Sequence, residues 1–344
     1  MTRLTAALIG AGGIARALHL PAHAAIRGSA LKWVCDPDEA QAQRLAEAHG
    51  VPRWTARLED VLADGEVDWV DVTAPNRFHE DITVRSLEAG KHVLCQKPMA
   101  DTAAAAARMT AAAERTGLQL GIYMCFRGDQ GLRLLRRLIR EGAFGGVISL
   151  RGRMISAGGF ALREGNWRMD GASGALDLLG VHMIDLFGWL HSDIEWVQAY
   201  SNTLYAPMKG DDVTTALYGL AGGVTAVLET TYCAFVRPGM PLYVLEVNGT
   251  AGTARYALET GRLSIQVESD FEEGTLLYKG GSAAEYTMAH AMEGGRALHE
   301  VHQSFVDALR SGAPFEIDGR AGHRAMVVME RTREAAAARR RIEI

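Results

Sequence analysis

Two side chains in this sequence sit where a proton can be moved. Lys97 follows the apolar run His92-Val93-Leu94-Cys95 and precedes Pro98, whose ring stiffens the exit from a strand. The chain uses lysine five times against 31 arginines, so an ammonium at this point is a choice for a compact, titratable cation. Beside a second cation its pKa would fall, enough to share a proton with a hydroxyl group. A surface lysine, or one that touches phosphate, is the plainer alternative. His182 lies within Gly174–Leu186, an apolar helical stretch that also carries Asp177 and Asp185. Titratable groups in such a helix need partners or a cavity. A general base for a hydroxyl proton and a core histidine bonded to a carbonyl are the two readings of His182. Just upstream, Asn166-Trp167-Arg168 offers a clamp for a hydroxyl or phosphate and an indole to cover a flat ligand, or simply packing. His299-x-x-His302 has ligand spacing, but no third ligand accompanies it; it reads as one face of an amphipathic helix, and no metal is expected.

A third feature says what the lysine might work beside. The strand Leu4–Ile9 runs into Gly10-x-Gly12-x-x-Ala15, and a helical pattern follows. Gly10 allows the tight turn. Gly12, with Gly13 and Ile14 beside it, leaves backbone bare for a pyrophosphate, and Ala15 lets the helix pack close. The N–H groups and positive end of that helix would face the phosphates. A second strand, Leu31–Cys35, ends in Asp36, 21 residues after Ala15. A carboxylate there binds the adenosine ribose hydroxyls of NAD and repels the extra phosphate of NADP. No arginine follows directly, so NAD is the expected cofactor, with NADP the lesser choice. A helix cap or turn residue before Pro37 is the alternative for Asp36.

These residues need a frame. Helical patterns at 14–27, 38–49, 57–63, 79–89 and 101–115 alternate with strands at 67–73, 92–95 and 118–124. Pro21 interrupts the first helix, and Asp101 caps the last. The alternation spells a doubly wound parallel α/β sheet. Ligands in such sheets bind at the carboxyl ends of the strands, so Gly10, Asp36, Thr73 to Asn76, and Gln96 to Pro98 are expected along one crevice. Past Gly131 the pattern changes to strands at 147–155, 194–201, 213–220, 224–232, 242–247, 253–258 and 263–267, joined by turns such as Asn248-Gly249. That predicts a largely antiparallel sheet with an inserted helix at 174–190 and two closing helices at 296–309 and 320–337. The expected division is 1–122 for the dinucleotide domain and 123–344 for an α+β substrate and assembly domain. Residues 270–284 read as a surface loop, and Arg339-Arg340-Arg341 as a solvated tail.

Composition excludes other classes. At 344 residues and 48% apolar content the chain is folded and too long for one core. A net charge of −5 without basic aromatic clusters argues against nucleic acid or an anionic membrane as partner. Four scattered cysteines, Cys35, Cys95, Cys125 and Cys233, suit a reducing cytoplasm better than disulfides or zinc. No signal peptide or membrane span is visible.

Four stretches together resemble the Gfo/Idh/MocA oxidoreductases, the glucose–fructose oxidoreductase and inositol dehydrogenase group. They are Gly10 to Ala15; Thr73-x-Pro75-Asn76-x-x-His79; Ala89 to Pro98; and Gly180-x-His182-x-x-Asp185. The resemblance spans nearly the whole chain. It implies a Rossmann domain, a C-terminal domain on a large open sheet, and dimers or tetramers packed through that sheet. It implies NAD(P)-linked oxidation of a sugar or polyol hydroxyl, or the reverse, with Lys97 the catalytic lysine and His182 the acid/base. Thr73, Pro75, Asn76, His79 and Gln96 would then meet the cofactor, and Tyr123, Trp167, Arg168 and Asp185 the substrate. Two departures stand out. The family usually has Glu where this chain has Gln96, which brings no charge beside Lys97. The family often has Asp four residues before the histidine, where this chain has Leu178. In a regular helix Asp177 would point ~140° away from His182, whereas Asp185 would lie roughly 60° from it, placed either to orient it or for the structural role this Asp often has in the family. A dinucleotide-binding sensor without turnover is the alternative function.

Overall fold

The computed structural model describes residues 3–170, 173–236, 242–289 and 296–344, apart from the side chains of Trp167, Asp170 and residues 296–298. The chain forms two compact units, Met1–Cys125 with Leu298–Met326, and Phe126–Ala297 with Val327–Ile344. The expected boundary at 122 therefore falls slightly early, and a C-terminal stretch belongs to the first unit.

In the first unit, strands β1 (Leu4–Ile9), β2 (Ser29–Cys35), β3 (Arg53–Thr55), β4 (Trp69–Val72), β5 (His92–Cys95) and β6 (Leu120–Ile122) form one sheet in the order β3-β2-β1-β4-β5-β6. Every pair is parallel, which is the doubly wound order, with its switch point between β1 and β4. Helices α1 (Leu20–Ala25), α2 (Glu39–His49), α3 (Leu58–Leu62), α4 (His79–Glu88) and α5 (Ala103–Thr116) supply the crossovers. Leu8, Ala11, Ala15, Leu20, Val34 and Leu45 share one buried cluster, so the apolar β1 and the small residues after it are core on one side. Strand β3 was not visible in the sequence.

The segment at 14–27 is not one helix. It opens with a wide π turn, Ala15–His19, and becomes α-helical at Leu20, with Pro21 in the first turn, where a missing N–H costs nothing. Asp101 does not cap α5; the Thr102 hydroxyl accepts from the Ala105 N–H at 3.1 Å. Residues 270–284 are not a loop throughout, since Phe271–Glu273 (β14) and Leu276–Tyr278 (β15) make a short hairpin.

The second unit is built on a nine-stranded sheet. After α6 (Gln130–Arg140) come β7 (Val147–Ile155), the short α7 (Trp167–Asp170), a second π turn at Leu176–Gly180 and α8 (Val181–Leu190). Then follow β8 (Ile194–Asn202), β9 (Val213–Leu220), β10 (Thr225–Thr231), β11 (Tyr243–Gly249), β12 (Gly252–Ala257), β13 (Arg262–Val267), β16 (Ala284–Thr287) and β17 (Ile342–Glu343). The order is β16-β13-β12-β11-β7-β10-β9-β8-β17, antiparallel except for β7 with β10. Gly152 of β7 lets α8 press on the sheet, because a Cβ there would lie 2.8 Å from the Phe187 ring. Helices α9 (Arg296–Ser311) and α10 (Gly319–Ala338) lead to the C-terminus. The arginine run beyond them is no free tail. Ile342 and Glu343 pair with β8, and the Arg341 guanidinium lies 4.3 Å from the Trp196 ring.

At Gly10 the sequence obeys the fold alone. Its φ is +105°, and a Cβ would lie 2.7 Å from the Ala74 backbone nitrogen. Gly10→Ala is expected to cost about 1–3 kcal/mol from backbone strain alone, read as a fall of several degrees in Tm; an unchanged Tm would contradict this account of the turn.

Candidate functional site

The carboxyl ends of β1, β2, β4 and β5 meet as the sequence predicts, and each contact has a cause. The Gly10 N–H donates to the Cys35 carbonyl at 2.7 Å, and the Thr73 N–H to the Ile9 carbonyl at 2.8 Å. The Thr73 hydroxyl adds a bond to the Gly10 carbonyl at 2.7 Å, so it locks the turn to the end of β4. Asp36 accepts the Ala11 N–H at 2.7 Å and the Asp38 N–H at 2.9 Å. It is not the cap of α2; Asp38 does that, accepting the Gln41 N–H at 3.0 Å. Ala15 is fully buried beneath the turn. Gly12 and Gly13 differ from Gly10: a Cβ on either would meet nothing within 4 Å. The protein's own packing does not ask for glycine there. Bare backbone facing open space at a helical start, with a carboxylate one strand away, fits a dinucleotide's pyrophosphate and ribose.

The next two strand ends are tied together by His79. Its Nε2 faces the Ala74 carbonyl at 2.8 Å and its Nδ1 the Pro98 carbonyl at 3.0 Å. The ring is buried, so its place is under the loops of Pro75, Asn76 and Lys97, which it joins. Burial pushes its pKa down, although both carbonyls favour a second proton. Asn76 is buried, and the Lys97–Pro98 peptide is cis.

Behind Lys97 lies a group that the sequence did not reveal. Asp71, fully buried in β4, takes three imidazoles on one oxygen: His19 Nδ1 at 2.8 Å, His23 Nε2 at 3.0 Å and His302 Nε2 at 2.9 Å. Tyr123 is also buried here, its ring 4.6 Å from that of His19 and 5.1 Å from that of His302. The helix face drawn for His299-x-x-His302 is thus corrected: His302 is fully buried and serves Asp71. Gln96 continues the chain, with its Nε2 2.9 Å from His19 Nε2 and its Oε1 accepting the Lys97 N–H at 2.7 Å. Burial opposes the charge on Asp71, but the surrounding imidazoles and their hydrogen bonds win and hold its carboxyl well below the usual range. Burial likewise dominates at His19 and His23 and pushes both pKa values down, against the pull of Asp71. The available signal was Asp71 itself, a lone carboxylate in the apolar run Trp69-Val70-Asp71-Val72, with His19 and His23 one helical turn apart.

In the second unit His182 is buried at the start of α8, edge-on to Phe126 with ring centroids 4.8 Å apart. The helix before it is not regular. The π turn carries i→i+5 bonds, such as Val181 N–H to the Leu176 carbonyl, and acts as one inserted residue. The angle assigned to Asp177 from a regular helix therefore does not apply. Its carboxylate is held by Arg333 at 2.5 Å and by the Gly174 N–H at 2.8 Å. Of the two readings of Asp185, orienting His182 or a structural role, its contacts match the second: both its oxygens are taken by the Arg127 guanidinium, at 2.5 and 2.8 Å, in a buried bidentate pair. The Arg168 N–H bonds the Asn166 side chain at 3.1 Å. The side chain of Trp167 lies outside the described residues.

A parallel sheet with an open glycine turn at its switch point defines a dinucleotide-binding protein, and comparison with known proteins narrows the class. Residues 4–124 match the profile described as an oxidoreductase family with an NAD-binding Rossmann fold, and residues 132–255 match the GFO/IDH/MocA C-terminal domain. The chain is 27% identical to a D-apiose dehydrogenase of Paraburkholderia graminis, over 99% of this chain and 90% of that one. It is 30% identical to a 1,5-anhydro-D-fructose reductase of Ensifer adhaerens, over 72% and 73%. Its fold superposes on a levoglucosan dehydrogenase in complex with NADH at a TM-score of 0.90, with 22% identity, covering 100% and 99%. The protein belongs to the Gfo/Idh/MocA family of oxidoreductases, and its N-terminal unit is that family's NAD-binding domain.

Two outcomes follow from this geometry. Gly12→Val should leave Tm unchanged within about 0.5 kcal/mol of stability and weaken NADH binding at least about tenfold, measured by fluorescence titration; equal binding would show that the bare backbone is not the phosphate site. Acid should destabilise the first unit. The unfolded chain protonates His19, His23 and His79 near 6.5, whereas burial keeps them neutral, so stability is lost as pH falls through that value. The slope is up to about 1.4 kcal/mol per pH unit for each such histidine. The loss at Asp71 follows only further down, as pH approaches its lowered folded pKa. Melting curves level between pH 8 and 5 would contradict this.

Proposed function

We propose that the protein oxidises a secondary hydroxyl of a sugar, polyol or anhydrosugar with NAD, or reduces the matching ketone with NADH. The observation that carries this is the arrangement at the strand ends of the first unit. Bare backbone at Gly12 and Gly13, the Asp36 carboxylate and Lys97 follow the carboxyl ends of β1, β2 and β5 of one parallel sheet, with β4 between β1 and β5. NAD, bound along those ends, supplies the hydride acceptor. Lys97 polarises the substrate oxygen and relays its proton, and His182 accepts that proton as the C–H bond gives up its hydride. The Arg127–Asp185 pair holds α8 and with it His182. The names of the relatives point to a small cyclic or branched sugar as substrate. The test is NAD reduction with D-apiose, levoglucosan, inositols and sugar acids, and NADH oxidation with 1,5-anhydro-D-fructose. Lys97→Met and His182→Asn should each lower kcat by about 10²–10⁴-fold with NADH binding retained. Unchanged turnover would remove that residue from the mechanism, and bound NADH without turnover on any substrate would favour a sensor.

Asp36 carries the cofactor choice. NAD should be favoured over NADP, and Asp36→Ala should erase most of the preference, since the carboxylate both binds the ribose and repels the phosphate. Preference of the unaltered protein for NADP would refute this reading.

Association into a dimer or tetramer through the face of the nine-stranded sheet is part of the same proposal. That face carries Arg151, Arg153, Glu229, Glu246 and Arg255 around a shallow depression, charges that one copy can complement on another. A cytoplasmic setting is supported by four buried free cysteines. No helix among the described residues is long and apolar enough to cross a membrane.

A further inference from the structure

We infer that Gln96 is a positioning residue that anchors the backbone of Lys97 without adding charge, and that His19 is held in a single neutral tautomer to serve it. The inference rests on the role proposed for Lys97. The chain of donors and acceptors has one solution. The backbone N–H of Lys97 can only donate, so the atom of Gln96 that faces it at 2.7 Å is the oxygen. The other end of the amide is then NH2, which also can only donate, and it faces His19 Nε2 at 2.9 Å. His19 Nε2 must carry a lone pair. A neutral ring keeps its proton on Nδ1, which lies 2.8 and 3.0 Å from the two oxygens of Asp71. A backbone amide thus sets the tautomer of a histidine 78 positions away in sequence (97 − 19).

The cluster also resembles a metal site. His19 Nδ1, an Asp71 oxygen and His302 Nε2 all lie within 4.8 Å of one another, close enough to suggest a metal ligand set. A metal on Nδ1 would move the proton of His19 to Nε2, where it would point at the NH2 of Gln96. Flipping the amide would relieve that clash only by leaving the Lys97 N–H facing an NH2 group. A second proton on His19 fails in the same way. Gln96 therefore keeps His19 neutral and metal-free, and His19, braced by Asp71, His23, His302 and Tyr123, keeps Gln96 in one orientation.

Glutamate at this position reverses the requirement. A carboxylate accepts from the Lys97 N–H with one oxygen, and its other oxygen needs an N–H on His19 Nε2 while Asp71 still needs one on Nδ1. The Gln96→Glu protein works only with a doubly protonated His19. The groups facing that ring are Asp71, His23, His302, Tyr123 and residue 96 itself.

The experiment compares Gln96→Ala and Gln96→Glu with the unaltered protein in three readouts: NADH affinity by fluorescence, kcat on the sugar turned over fastest in the panel above, and Tm from pH 5.5 to 8.5. The kcat is read at NAD or NADH concentrations that saturate each variant, so that loss of the cofactor contact that the family resemblance assigns to Gln96 is kept apart from loss of positioning. Gln96→Ala should lower kcat at least tenfold at every pH. Gln96→Glu should restore kcat toward the parent at pH 6, and its kcat relative to the parent should fall at least tenfold by pH 9, as His19 loses its second proton. The Tm of Gln96→Glu relative to the parent should rise as pH falls, a readout that needs no turnover. A kcat for Gln96→Ala within twofold of the parent overturns the inference, and so does a pH-independent ratio of kcat or difference of Tm for Gln96→Glu. If Lys97→Met leaves turnover intact, the role of Lys97 is what fails, whatever residue 96 does.

Discussion

A carboxylate with no exposure sits near the carboxyl end of the central strand β4, and the first unit is arranged around it. An uncompensated charge there would cost several kcal/mol. Asp71 is compensated by three imidazoles that converge on it from 52, 48 and 231 residues away. Neutral rings suffice, since each needs only one N–H directed at the carboxylate. The cost of burial thus becomes a constraint on placement: the segment after the glycine turn, β4 and α9 all have to be present for the charge to be met.

That constraint reaches the chemistry by two routes. On one side, His19 closes the wide turn that begins at Ala15, directly after the glycines where phosphate is expected, so the turn and the cluster are built from one continuous stretch. On the other, Gln96 hands the orientation of His19 to the backbone of Lys97. His79 does similar work with neutral acceptors, joining the loop after β4 to the loop after β5. The backbone at the ends of β1, β4 and β5 is therefore held by hydrogen bonds whose partners lie in the interior. The second unit uses a different device for His182, a helix pinned to its sheet and braced by the bidentate Arg127–Asp185 pair.

What was legible in the sequence was local or periodic. The Gly10 to Ala15 turn, the strand ends at Asp36, Thr73 and Gln96, and most strands of both sheets follow from runs of apolar residues and the turns between them. What was not legible depended on distance or on broken periodicity. The partners of Asp71 cannot be found by spacing when one lies on α9. A π turn inserts a residue's worth of rotation, so the direction of Asp177 could not be read at 100° per residue. Asp185 shares the regular α8 with His182, but its partner Arg127 lies 58 residues away, which helical spacing does not reveal. Short edge strands such as Arg53–Thr55 and Ile342–Glu343 have too few residues to show alternation. The replacement of the family's usual Glu by Gln96 was visible from the start, but its meaning was not. It reads as a lost charge in sequence, and in the fold it is the choice that fixes a proton.

The most direct measurement is the protonation state of His19, read from the ring nitrogens by NMR on protein labelled with nitrogen-15 in its histidines, with His19→Asn to assign the signals. At pH 7 Nδ1 of His19 should carry the proton and Nε2 should appear as a bare acceptor, with no change when zinc is added. A proton on Nε2, protons on both nitrogens, or a zinc-dependent shift of Nδ1 would contradict it.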